Sequence, residues 1–196
     1  ISPNNSGNRT HTIDRITPHC VVGQLTAPSI AACFTADRKA SCNYCIGFDG
    51  IVGLVVDEDK RSWCSSNEAN DQRAVTIECA SDKTHPYAFN DHVYNKLIDL
   101  CVDICKRNGK TKVVWIADKT KALAYVPKAN EIQFTVHRWF AAKACTGDWL
   151  MERMDDLATK VNAKLGSSQP AQTSSFLVKI LANDLNIRSG PGMNYS

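Results

Sequence analysis

The sequence has no apolar run near the roughly 20 residues needed to span a bilayer, which excludes helical membrane insertion. It also lacks an excess of one charge: 23 Lys and Arg stand against 20 Asp and Glu, with no block of like sign. A chain that neutralises phosphates needs a clustered basic face, so nucleic acid is not an expected partner. No internal repeat is present. No second C-x-x-C accompanies Cys42-Asn43-Tyr44-Cys45, and a structural zinc ribbon requires one. The opening ISPNNSGNRT lacks the apolar stretch of a signal peptide, though a leader already removed would leave the same start. The sequons at Asn4, Asn8 and Asn194 lie in Asn- and Ser-rich tails, where chance matches are common.

What the sequence does have is cysteine. Nine cannot all pair within one chain, and such a number points to metal, redox chemistry or a disulfide scaffold. With 43% apolar residues over 196 positions, the chain can bury a core without staples, so most of its thiols read as small core hydrophobes.

Apolar periodicity is dense from about residue 13 to 165. Residues 13–23 read as a buried strand, 28–36 as a short helix, and 43–46 and 51–56 as strands. The latter two are joined by Gly47-Phe48-Asp49-Gly50, and Asp-Gly is a strong hairpin-turn signal. Residues 74–79 (AVTIEC) are a third β-rich run. Asn90 is a good N-cap for a helix carrying Val93, Leu97, Leu100, Cys101, Ile104 and Cys105, which Gly109 closes. A second amphipathic helix runs from Asp148 through Leu150, Met154, Leu157, Val161 and Leu165. These elements predict an α/β domain with a mixed central β-sheet flanked by helices. GSSQPAQTSS, residues 166–175, reads as a linker before the strand-like tail 176–196.

His19, His137 and Cys145 form a set of the kind an open zinc site uses: imidazole nitrogen and thiolate sulfur, with one position left for water. On spacing alone, a buried strand histidine, a surface histidine and a core cysteine serve as well. Glu78 shares a strand face with Thr76, opposite Val75 and Ile77. It is either a surface carboxylate or a buried one available for proton transfer. Lys143, two residues before Cys145, would be held near a metal bound there, where an ammonium can stabilise an oxyanion; a solvated lysine is the commoner case. Trp63, Trp139 and Trp149 suit a sugar groove or a core equally.

Four phrases in order, SCNYCIGFDGIVGLVVDEDKRSWCSS, NDQRAVTIECAS, HPYAFNDHVYNKLIDLCVDICKRNG and VHRWFAAKACTGDWL, resemble the type-2 N-acetylmuramoyl-L-alanine amidases. These are relatives of the peptidoglycan-recognition proteins; the closer resemblance is to phage endolysins and Gram-positive autolysins. It covers roughly residues 1–165, and its strongest motif is His…Glu…His…Lys-Ala-Cys. It implies one Zn2+ per chain on His19, His137 and Cys145, Glu78 as catalytic carboxylate, and Lys143 as oxyanion support. The implied partner is bacterial peptidoglycan, cut between muramic acid and L-alanine. The implied place of action is the Gram-positive wall, reached by release from an infected host's cytoplasm or by bacterial secretion. Asn43, Tyr44 and Trp63 are the expected substrate contacts. Tyr44 is placed on one face with Cys42, which stands where some relatives carry a tyrosine. Thr146 replaces the family's usual proline, implying a looser loop after the metal cysteine. The tail 176–196 resembles the first strands of a bacterial SH3 domain. A recognition module without catalysis, and a metal-free disulfide domain, are the competing readings.

Overall fold

The computed structural model describes residues 1–166 and 178–179. The strands are β1 (Asn5–Asn8), β2 (Arg15–Cys20), β3 (Tyr44–Ile46), β4 (Val52–Leu54), β5 (Lys60–Ser62), β6 (Ala74–Cys79), β7 (Lys112–Val114), β8 (Glu131–Phe134) and β9 (Val178–Lys179). The helices are α1 (Ala27–Ala31), α2 (Glu68–Asp71), α3 (Asp91–Arg107), α4 (Lys119–Ala124), α5 (Asp148–Met151) and α6 (Met154–Gly166), with a 3-10 turn at His137–Trp139. β1 and β5 form a small antiparallel pair, and the other strands build one sheet in the order β7-β8-β2-β6-β3-β4-β9. Every pairing in that sheet is parallel except β3 with β4, so the sheet is mixed, as expected.

The β3–β4 antiparallel pair is the hairpin that Asp49-Gly50 predicts. Gly50 takes φ +78°, which a Cβ would disfavour, and Asp49 Oδ1 accepts from the Ile51 amide at 3.1 Å. α3 begins where its cap places it, the Asn90 side chain accepting from the Val93 amide at 2.9 Å. It ends at Arg107, and Gly109 takes φ +65° in the turn just past the Asn108 cap. Its buried stripe includes Val93, Leu97, Leu100, Cys101, Ile104 and Cys105. With α6, this helix covers the sheet face formed by Ile16, Val75, Ile77 and Phe134.

The expected single helix from Asp148 to Leu165 is two helices. Its apolar spacing is kept: Leu150, Met154, Leu157 and Val161 are all buried, with Leu165 packed against the same core. The break falls at Glu152–Arg153, where Arg153 lies over the Trp149 ring at 4.2 Å and donates to the Trp149 carbonyl at 2.9 Å. Asn162 of α6 caps the open edge of the sheet, its amide accepting from Val113 N–H at 2.7 Å and donating to Val113 C=O at 2.9 Å. Gly166, expected to open the linker, is the last residue of α6. The rest of the linker, and all of the SH3-like tail except Val178–Lys179, lies outside the described residues. All nine cysteines are free thiols, and Cys42, Cys45, Cys79, Cys101 and Cys105 are fully buried, which fits small core hydrophobes and not a disulfide framework.

Candidate metal centre

β2, β6 and β8 lie side by side and parallel, so their carboxyl ends open on one edge, where α/β sheets hold their ligands. Parallel register pairs His19 with Glu78, and two residues earlier Thr17 with Thr76. Alternation puts all four on the sheet face away from α3. His137 follows the end of β8 in the same sense, two residues after Thr135, whose amide still pairs with the Ile16 carbonyl at 3.0 Å.

The threonines form a buried layer directly beneath. Asn70 of α2 donates to Thr17 Oγ1 at 3.0 Å, Thr17 and Thr135 hydroxyls meet at 2.7 Å, and Thr135 donates back to Asn70 Oδ1 at 3.1 Å. That is a closed ring of three side chains. Thr76 meets Ser62 at 2.7 Å and Asn43 Oδ1 at 3.2 Å. Every hydroxyl and amide in this layer is buried and bonded, so it fixes the strand ends. The sequence carries its signature as Thr-x-His, Thr-x-Glu, Thr-x-His, a pattern whose period of two was available to a reader of the strands.

Above this layer, His19, His137 and Cys145 present ligand atoms all within 4.8 Å of one another. Cys145 Sγ is 3.3 Å from His19 Nδ1, and the two imidazole centroids are 4.9 Å apart. Tetrahedral zinc with its usual bond lengths separates N and S ligands by about 3.5 Å, so the donor set fits that ion. Burial, then the neighbouring His137, holds His19 well below the usual imidazole range; burial and the Lys143 charge lower His137. Both shifts favour the neutral imidazole that a metal requires. A hydrogen bond with the Cys20 thiol, together with burial, pushes the Cys145 thiol up, so a cation has to drive its proton off.

Glu78 Oε1 lies 4.0 Å from His19 Nδ1, with the carboxylate only 15% exposed and Oε2 buried without a partner. Burial raises this carboxyl to about 7, opposed by the Cys64 thiol 3.8 Å away. Lys143 is exposed on the loop that carries Cys145, close enough to act on His137. That loop is closed by Arg138, which donates to Asp148 Oδ1 at 2.8 Å and to the Ala144 carbonyl at 2.7 Å. It is anchored to β2 by the Cys20 amide, 3.4 Å from Cys145 Sγ, and by the buried Thr146 hydroxyl, which donates to the Pro18 carbonyl. Thr146 thus ties the loop to the strand bearing His19, contrary to the looser loop its replacement of proline implies.

Two expected substrate contacts are corrected. Asn43 is fully buried, its amide donating to backbone carbonyls of Asp57 and Lys60 and its Oδ1 accepting from Arg9 at 3.0 Å, so it belongs to the scaffold. Tyr44 pairs with Ile77 and faces α3, with the Arg107 guanidinium 6.0 Å from its ring centroid. It is not on the Glu78 face, because its register partner Ile77 points to the opposite side of β6 from Glu78. Trp63 is half-buried beside Cys64, its indole N–H donating to Ser6 Oγ at 2.7 Å. Trp139 is buried and stacks on Trp115 at 5.2 Å, while Trp149 packs between Phe89 and Tyr94.

Residues 9–148, the span holding His19, Glu78, His137, Lys143 and Cys145, match the N-acetylmuramoyl-L-alanine amidase family profile. The chain belongs to that family. The amidase fold is shared with an AmpD structure at 20% identity and TM-score 0.57, covering 80% of this chain and 91% of that one. It is also shared with the amidase LysC from Clostridium intestinale URNW, at 14% identity and TM-score 0.54, covering 81% and 94%. PlyL gives 15% identity and TM-score 0.54, covering 79% and 87%. No curated protein matches the chain. Among the described residues of this amidase, no helix is long and apolar enough to cross a membrane.

Proposed function

We propose that this amidase is a zinc-dependent peptidoglycan hydrolase that cleaves the amide between N-acetylmuramic acid and the L-alanine of the stem peptide, in the service of cell-wall lysis. The observation that carries this is the convergence of His19, His137 and Cys145 within 4.8 Å, with the Glu78 carboxylate 4.0 Å from His19. The same observation disfavours a recognition module without catalysis, which has no need of a complete donor set with a buried carboxylate beside it.

His19, His137 and Cys145 would hold one Zn2+ per chain. When bound, zinc supplies a Lewis acid that polarises the scissile carbonyl and lowers the pKa of a coordinated water to about 7. Glu78 takes the proton of the attacking water and passes it to the departing alanine amine. Lys143 brings a positive charge to the rim, where the carbonyl oxygen becomes negative. Trp63 offers a half-exposed aromatic face to the substrate. The site of action is the Gram-positive wall, reached from an infected host's cytoplasm as a phage protein or by bacterial secretion.

The test is Glu78→Gln, which keeps shape and removes the base. Hydrolysis of muropeptide should fall by about 10²–10⁴-fold, the usual worth of a positioned acid–base group, with zinc still bound at wild-type stoichiometry. Turnover at the wild-type rate by zinc-loaded Glu78→Gln contradicts the assignment.

A further inference from the structure

Cys64 has no part in the reaction just described, yet it sits at the catalytic carboxylate. Its backbone amide donates to Asp71 Oδ2 at 3.1 Å, which fixes the loop after β5, and its Sγ lies 3.8 Å from Glu78 Oε1. The ligand atoms of Cys64, Glu78 and His19 are all within 4.8 Å of one another, the same closeness as in the first triad. A tetrahedral cation holding a thiolate, a carboxylate oxygen and an imidazole nitrogen spaces them by about 3.5 Å. The observed 3.8 Å between Cys64 and Glu78 and 4.0 Å between Glu78 and His19 are within half an ångström of that. Glu78 Oε2 is buried with no partner, a carboxylate oxygen in want of a cation or donor.

We infer that Cys64, Glu78 and His19 form a second position for a soft divalent cation, overlapping the first through His19. The atom measured against both Cys145 (3.3 Å) and Glu78 (4.0 Å) is His19 Nδ1, and one nitrogen binds one ion. The two positions therefore compete. A cation on Cys64 ligates Glu78, which then cannot accept a proton, so this second position is a non-productive one. Thiolate donors favour soft ions, which makes zinc and cadmium the class that would take it.

This inference rests on the reading of His19, His137 and Cys145 as a metal site, and cadmium separates the two. The full chain, stripped with chelator and kept reduced, is titrated with Cd2+ while ultraviolet thiolate-to-cadmium absorbance is followed. In Cys145→Ser a thiolate band should persist, carried by Cys64. It should weaken at least tenfold in apparent affinity in Cys145→Ser/Cys64→Ser, and likewise in Cys145→Ser/Glu78→Gln. The Glu78 pair keeps Cys64 in place and serves if the double cysteine variant does not fold. A Cys145→Ser protein with no thiolate band overturns the second position, as does a band left unchanged by both added substitutions. If instead Cys145→Ser binds Cd2+ with the full wild-type affinity, Cys145 is no ligand and the first triad is the one that fails.

Discussion

Asn70 is the residue on which the placement of the site most depends, and its removal has a calculable cost. Its fully buried side chain makes four hydrogen bonds: to Thr17 at 3.0 Å, to Ser65 at 3.2 Å, from Arg15 at 3.2 Å and from Thr135 at 3.1 Å. Each is worth about 1 kcal/mol net, and Asn70→Ala leaves its partners buried without replacement, so the expected loss is about 4 kcal/mol. A domain of this size is stable by roughly 5–15 kcal/mol, so the variant still folds. At about 2–4 °C per kcal/mol, its melting temperature should drop by about 8–16 °C. Urea unfolding followed by circular dichroism measures the difference directly. A loss under about 1 kcal/mol would refute the idea that the threonine layer under His19, Glu78 and His137 is held as a unit through Asn70.

Thr146→Val removes the hydroxyl that donates to Pro18 and should cost about 1–3 kcal/mol, a buried acceptor being left with one partner fewer. The same variant should bind zinc about 10-fold more weakly, since the Cys145 loop loses one of its two ties to the His19 strand; calorimetric titration at an affinity equal to wild type would contradict this. Glu131 accepts from Tyr125 at 2.5 Å, from the Lys128 amide at 3.1 Å and from Lys112 at 3.2 Å, which together depress its carboxyl to about 2. A depressed carboxyl stabilises the fold above its unfolded value near 4.5 and loses that contribution as pH falls through about 2. The stability gap between wild type and Glu131→Gln should therefore be widest at neutral pH and close between about pH 4.5 and 2; denaturation midpoints that keep a constant gap across this range rule it out.

The elements legible in the sequence were those whose signal is local. β6 coincides with AVTIEC, α3 starts on the Asn90 cap, and the Asp49-Gly50 turn joins the antiparallel pair. β1, β5, β7 and β8 have three or four residues each, too few for periodicity to separate from loop, and they exist because distant strands pair with them. β1 is NSGN, with no apolar residue at all. His19, Glu78, His137 and Cys145 were legible as an ordered set, and the fold brings them together. Tyr44 was expected at the substrate because it lies two residues from Cys42, but its pairing with Ile77 turns it toward α3. Asn43 was misread because a polar residue beside a site motif looks like a contact until its partners within the fold, Arg9 among them, are seen. Cys64 and Asn70 were missed because neither adjoins His19, Glu78, His137 or Cys145 in sequence; only the return of the loop before β6 brings them there.

If this amidase cuts the muramoyl–alanine amide with a metal held by His19, His137 and Cys145, purified peptidoglycan digested by the zinc-loaded chain should yield new free L-alanine amino termini and no new reducing sugar ends. That release should stop on chelation, return with added zinc, and require close to one zinc per chain. Reducing ends in place of alanine termini, or undiminished release from fully chelated protein, would contradict it.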